Sequence, residues 1–193
     1  MSVEGTPQDW QDAEVLAAAR VRPELLGVIF ERHAVAVHRF LAWRVGREAA
    51  DDLLGDVFVA AVEARLRVQP HESGSALPWL FGIARNAVRA HVRRRAPVPG
   101  WPANDVCDWA AVDARVDAAA RRDELRTAMT SLTEDEREVL LLVAWDGLSP
   151  AEAARVLGIT PEASRTRLRR ARVRAQRALD AEPLVAEGER SWT

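Results

Sequence analysis

The chain has 193 residues, 48% of them hydrophobic, which is enough for one domain or for two small ones with cores of their own. Its formal charge is −2, and its one cysteine, Cys107, excludes an internal disulfide and a cysteine-built metal site. No apolar run approaches the roughly 18 residues of a membrane span, and the acidic start (Glu4, Asp9, Asp12, Glu14) lacks the basic segment of a signal peptide, so a cytoplasmic protein without membrane insertion is expected.

Apolar residues recur at helical spacing along the chain and no segment alternates as a strand, which predicts an all-α fold. An N-terminal extension, residues 1–22, carries an amphipathic stretch near Asp12 to Arg20. A first helical block follows over 23–95. In it Leu26, Ile29, Phe30, Val37, Phe40 and Leu41 form one stripe, and Gly46 is a break. Leu53, Leu54, Val57, Phe58, Ala61 and Val62 mark the next helix, with Asp52, Asp56 and Glu63 on its opposite side.

The stretch Val68 to Ala76, with Pro70, Ser73 and Gly74, reads as a loop. Pro78 then opens a helix whose buried face is Leu80, Ile83, Ala84, Ala87 and Val88. It carries Arg85, Arg89, Arg93, Arg94 and Arg95 and no acid, and Arg85, Arg89 and Arg93, spaced by four, share a face with reach to phosphates. Trp79 and Phe81 could stack on bases, but aromatic residues at helical spacing are expected in the core.

Helical patterning fails over 96–115, where Pro97, Pro99, Gly100 and Pro102 precede Asp105, Asp108 and Asp113; this reads as a flexible acidic linker that also holds Cys107. About 20 such residues span near 25 Å as a random coil and about 65 Å when extended.

The second block, 116–179, contains a capping box at Thr133 and Glu136 ahead of Val139 to Trp145. A second box follows at Ser149 and Glu152, with Pro150 at a position that needs no backbone N–H. Gly158 suits the left-handed residue that ends a helix, and Thr160-Pro161 starts another. Two helices joined by so short a turn form a helix-turn-helix, which braces one helix on the DNA backbone and sends the other into the major groove.

Seven arginines and one acid lie between Thr160 and Leu179 on the second of those helices. Ser164, Leu168, Ala171, Ala175 and Leu179 should face the core. Glu162, Arg165, Thr166 and Arg169 project where base edges would lie, and Arg167, Arg170, Arg172 and Arg174 flank them and suit phosphates. Arginine pairs bidentately with guanine, and Glu162 can accept from a cytosine amino group. The net charge of −2 does not oppose this reading, because surface charges are screened beyond about 10 Å at 0.1 M salt. All 27 basic residues are arginine, a bias that fits a GC-rich genome better than a function. The tail, 180–193, is acidic and reads as frayed.

Taken in order, these segments resemble bacterial sigma factors of the extracytoplasmic-function group of the sigma-70 family. The matching residues of the first block are Phe30-Glu31-Arg32-His33, Ala50-Asp51-Asp52-Leu53-Leu54-Gly55-Asp56-Val57-Phe58, Pro78-Trp79-Leu80-Phe81-Gly82-Ile83-Ala84-Arg85-Asn86 and Arg93-Arg94-Arg95. Those of the second are Leu132-Thr133, Glu138-Val139-Leu140, Gly147-Leu148-Ser149 through Gly158-Ile159, and Arg167-Leu168-Arg169-Arg170-Ala171-Arg172. The family commonly has Gln at Gly55 and Thr-Val at Ala163-Ser164.

The resemblance implies two small helical domains joined by a flexible linker: a bundle for the minus-ten promoter element and a helix-turn-helix domain for the minus-thirty-five element. It implies docking of Asp51, Asp52 and Asp56 on the β′ clamp helices of core RNA polymerase, with the β flap as a further contact. The helix from Pro78, through Arg85, Arg89 and Arg93, and the loop residues His71, Glu72 and Ser73 with Asn86 would read the minus-ten element as it opens and hold an unstacked base. Arg165, Thr166 and Arg169, with Glu162, Arg167, Arg170 and Arg172, would bind the minus-thirty-five duplex. The two elements lie roughly 50 Å apart, at 34–36 Å per turn of DNA, so the linker must be drawn out to serve both.

An anti-sigma factor is an expected partner. No catalytic residue, metal or cofactor is expected, since no nucleotide loop, metal cluster or nucleophile–base pair is present in the sequence and polymerase supplies the chemistry. Two other readings are a dimeric helix-turn-helix repressor or activator on a palindromic site, which leaves the basic Arg85 to Arg95 helix unexplained, and an interaction protein that sequesters a regulator.

Overall fold

The computed structural model describes residues 6–95 and 119–180, and among these it is all helical. Helix α1 (Asp12–Ala19) leads through a 3-10 turn (Pro23–Leu25) into α2 (Leu26–Val45), α3 (Arg47–Ala64) and α4 (Leu77–Arg95). Beyond residues 96–118 come α5 (Ala119–Thr130), α6 (Glu134–Ala144), α7 (Pro150–Leu157) and α8 (Pro161–Asp180). The expected linker, Cys107 and the acidic tail lie outside the described residues.

Helices α2, α3 and α4 pack around Val37, Phe40, Leu41, Leu53, Val57, Leu80, Phe81 and Ala84. Phe81 is fully buried and stacks on Phe40 with ring centroids 4.7 Å apart, and Trp79 packs half-buried against the same core. Gly46 separates α2 from α3 at φ +83°, a backbone that a side chain would strain, so the break is built into the residue type.

Two positions of the expected stripes fall outside the core. Phe30 is 44% exposed and Val62 39%, because the helices packed on α2 and α3 cover less than the full width of each apolar face. Phe30 meets Phe58 edge-on at 4.8 Å instead.

The second half follows its capping chemistry closely. The Thr133 hydroxyl accepts from the Glu136 N–H at 3.3 Å and the Glu136 carboxylate accepts from the Thr133 N–H at 3.1 Å. Ser149 and Glu152 repeat the exchange at 3.2 and 2.8 Å, and Gly158 ends α7 in the left-handed conformation at φ +69°. Each box satisfies N–H groups that a helix start otherwise leaves open. On α8, Ser164, Leu168 and Ala171 are buried and Ala175 is partly buried. Leu179, expected inside, is 38% exposed because the end of α8 outruns its cover.

The two halves close on each other. Val139, Leu142, Leu148, Ala153, Val156 and Leu168 join the same apolar core as α2 to α4, and α4 packs on α7. A smaller cluster unites Trp43 of α2 with Met129, Leu132, Leu141 and Ala171, and the Trp43 and Trp145 rings stack at 4.8 Å. Arg44, buried over the Phe40 ring, lies 3.6 Å from Asp146, and Arg85 makes a two-pronged pair with Glu138 at 2.5 and 2.9 Å.

Candidate nucleic-acid interface

The start of α8 is built to point outward. Thr160 caps it by accepting from the Ala163 N–H at 3.2 Å, and the buried side of the helix roots the opposite face in solvent. On that face Glu162, Arg165, Thr166, Arg169, Arg170 and Arg172 are all exposed. Arg165 reaches Glu162 at 3.4 Å, a loose surface pair that leaves both able to turn to another ligand. Hydrogen bonding to its own backbone N–H, with help from Thr160 and Arg165, holds the Glu162 carboxyl below its usual range.

Arg167 and Arg174, expected as phosphate contacts, are engaged within the protein. Seven residues apart, they share the flank of α8 beside the acidic first turn of α6, where Arg167 pairs with Asp135 at 3.1 Å and Arg174 with Glu136 at 2.9 Å. Periodicity identified the flank but not its occupant. A feature that sequence reasoning missed lies further along α8, where Arg169, Arg170, Val173, Arg174 and Arg177 line an open groove of about 300 Å³. The arginine spacing alone carries that signal, since 170, 174 and 177 recur at one helical turn.

The second candidate surface belongs to α4 and the loop before it. In that loop the His71 ring nitrogen accepts from the Ser73 N–H at 3.1 Å, and Gly74, at φ +75°, closes a turn by donating to the His71 carbonyl at 2.9 Å. Only Val68 and Ala76, at its two ends, are buried; Glu72 and Ser73 are exposed, as is Asn86 on α4. From one side α7 grips the loop: Ser73 donates to Glu152 at 2.7 Å and Arg155 to the Gln69 carbonyl at 2.7 Å. From the other side α1 does, with the Ala13 N–H donating to the Gly74 carbonyl at 3.1 Å and the Ala76 N–H to Asp12 at 2.9 Å.

Arg89 and Arg93 are exposed, as a phosphate-facing pair requires. Arg85 is not open beside them: it is partly buried and held by Glu138 of α6, whose hydrogen bond raises the guanidinium pKa against the opposing effect of burial. Arg85 shares the four-residue spacing of Arg89 and Arg93, but the acid that meets it sits 53 residues away in sequence.

A third surface runs along α3. Asp51, Asp52 and Asp56 are exposed, and Asp51 pairs with His38 at 2.8 Å. Asp52, Asp56, Val59 and Glu63 follow one helical stripe, so the acidic face continues into exposed Val59, Val62 and Leu66. The sequence reading saw its charges and missed its apolar part. Among the described residues no cluster of metal-ligating side chains occurs, and no helix is long and apolar enough to cross a membrane.

The comparisons with known proteins agree with this geometry. The family model for sigma-70 region 2 matches residues 29–98, and that for sigma-70 region 4 matches residues 122–174. The chain is 34% identical over 173 residues to the extracytoplasmic-function RNA polymerase sigma factor SigC of Mycobacterium tuberculosis, covering 89% of this chain and 91% of the relative. It is 34% identical over 144 residues to the RNA polymerase sigma factor CarQ of Myxococcus xanthus, covering 74% and 82%. Among solved structures, CnrH in complex with the cytosolic domain of CnrY superposes with a TM-score of 0.64 at 28% identity, over 90% of this chain and all of that one. RpoE from Bartonella quintana, solved with the anti-sigma factor NepR, shares the fold at a TM-score of 0.57 and 21% identity, over 83% of this chain and 99% of that one. With both promoter-binding regions matched in order and the relatives aligned over most of their length, the chain belongs to the extracytoplasmic-function group of sigma-70-family RNA polymerase sigma factors.

Proposed function

We propose that the exposed face of α8 reads the minus-thirty-five element and that α4 with the 68–76 loop reads the minus-ten element. The chain is a sigma factor that directs RNA polymerase to promoters. The observation that carries the residue assignment is the capped helix-turn-helix with Arg165, Arg169, Arg170 and Arg172 exposed on its outer side. In this reading Arg165, Thr166 and Arg169 meet base edges, and Arg170 and Arg172 meet phosphates. Glu162 is placed to accept from a cytosine amino group.

Asp51, Asp52 and Asp56 on α3 offer charge to the β′ clamp helices of core polymerase, with exposed Val59 and Val62 supplying apolar contact, and the β flap meets the second half. The units in this reading are an N-terminal extension over 1–22, a minus-ten domain over 23–95, a linker over 96–115, a minus-thirty-five domain over 116–179 and a tail over 180–193. The protein works in the cytoplasm and is not itself an enzyme. An anti-sigma factor is a fitting partner, since RpoE from Bartonella quintana, with which it shares its fold, was solved bound to the anti-sigma factor NepR.

The closed packing adds a step. Arg85 and Ser73 are bonded to the helix-turn-helix half, so the halves must part before both elements are engaged. Run-off transcription with purified core polymerase across genomic fragments tests the whole reading. Discrete transcripts should depend on added protein; no transcript from any template, or no association with core polymerase, overturns it.

A further inference from the structure

The N-terminal extension has no assigned role, yet it ties down the loop that faces the minus-ten element. We propose that α1 braces this loop and that Asp12 is the positioning residue through which it acts. The inference rests on reading the 68–76 loop as the minus-ten reader.

Asp12 sits at the first turn of α1 with only 10% of its side chain exposed, and three donors converge on it. Arg32 of α2 reaches one carboxylate oxygen at 2.8 Å; His33 of α2 reaches the other at 2.6 Å, and the Ala76 N–H reaches that same oxygen at 2.9 Å. Burial opposes the charge, but these hydrogen bonds outweigh it and hold the carboxyl well below its ordinary range. The carboxylate therefore links the rigid α2 to the backbone at the end of the loop.

A second tie follows from helix geometry. The first N–H groups of a helix have no partner within it. In α1 the Ala13 N–H is spent on the Gly74 carbonyl at 3.1 Å. One helix start thus fixes an acceptor at Gly74 and a donor at Ala76, on either side of Ser75. His71 and Ser73, the candidate base contacts, lie within a few residues of these two anchors.

Once the second half moves away, the loop keeps its own His71–Ser73–Gly74 turn and the buried Val68 and Ala76 at its ends, but of its ties to neighbouring helices those to α1 matter most. Its middle is exposed, and the bonds from Glu152 and Arg155 belong to the half that must part from it. After opening, the α1 ties remain. A reading side chain must stay within about 0.5 Å of its productive place, and a supporting shell of hydrogen bonds supplies that order. Arg32 extends the brace by donating to the Gln8 carbonyl at 2.6 Å, so the chain ahead of α1 is anchored to α2 as well.

The test uses holoenzyme made with full-length Asp12→Asn. Two promoter libraries, one randomised in the minus-ten element and one in the minus-thirty-five element, are transcribed and the RNAs sequenced. The minus-ten preference should flatten by about fivefold to tenfold, the scale of losing one net intramolecular hydrogen bond. The minus-thirty-five preference and core affinity should stay within about twofold of wild type, on the additivity expected of distant sites. In the free variant, amide exchange at Gly74 and Ala76 should quicken while Phe40 and Leu80 keep their protection.

If Asp12→Asn does not fold, His33→Ala removes one of the three donors and should show the same selective flattening to a smaller degree. Equal flattening at both elements, or faster exchange with an unchanged minus-ten preference, overturns the inference. A triple variant, His71→Ala with Glu72→Ala and Ser73→Ala, separates the causes. If it flattens the preference where Asp12→Asn does not, the brace is wrong; if it too has no effect, the loop is not the reader.

Discussion

The two DNA-facing halves carry the same arginine chemistry in different states. On α8, Arg165, Arg169, Arg170 and Arg172 stand in solvent and only loose or flanking pairs hold their neighbours. On the first half, Arg85 is locked to Glu138 and Ser73 to Glu152, both from the second half. Composition does not separate them; access does. In the proposed reading one surface is open to duplex DNA as the molecule stands, and the other becomes available when the halves separate.

The largest effect that bears on this difference concerns the seam. Burial pushes the Asp146 carboxyl up to about 6, with Arg44 and Arg39 opposing the shift. A carboxyl whose folded pKa lies above its unfolded value of 3.8 stabilises the structure when protonated. That contribution is complete below the unfolded pKa and is lost as pH rises through the folded one. Relative to Asp146→Asn, the wild type should lose up to roughly 3 kcal/mol of stability between pH 4 and 7, measured by denaturant titration at each pH. A constant difference across that range would mean that Arg44 and Arg39 keep Asp146 ionised throughout.

Next comes the open surface itself. Arg169→Ala should weaken binding to a minus-thirty-five duplex by about 1–3 kcal/mol, read by fluorescence anisotropy, with core-polymerase affinity unchanged. Arg167→Ala should cost less, because its cation is already engaged with Asp135. If Arg167→Ala costs more, the α8 flank opens toward DNA and the contrast drawn between Arg167 and its neighbours fails.

The locked surface gives a gain-of-binding test. Glu138→Gln removes the charge that holds Arg85 and should tighten binding of a single-stranded minus-ten oligonucleotide about fivefold, near 1 kcal/mol. No change would show that the seam does not limit access to α4.

The smallest effect lies away from both surfaces. Gly55 sits inside α3 with open space where a Cβ would project, so Gly55→Ala should raise stability by about 0.5–1 kcal/mol in thermal melts. Failure to do so would point to backbone strain at that turn of α3.

Much of this was legible in the sequence because it is local. Two capping boxes, the left-handed Gly158 and the outer face of α8 follow from residue types within a few positions of one another. What was not legible depends on partners far along the chain. Arg85 and Arg167 look like free cations until Glu138 and Asp135 are brought to them by the fold. Phe30 and Val62 look like core until it is known how much of each helix its neighbours cover. Asp12 looks like one acid among several in the N-terminal stretch; its three donors come from α2 and from a loop more than 60 residues on.

The tryptophan pair across the seam has a practical consequence. Trp43 belongs to one half and Trp145 to the other, and their indoles lie face to face at 4.8 Å. Coupled chromophores at that range produce an optical signal that vanishes when they are pulled apart. The molecule therefore carries its own unlabelled gauge of opening, readable by circular dichroism or intrinsic emission as polymerase, promoter or an inhibitor is titrated in.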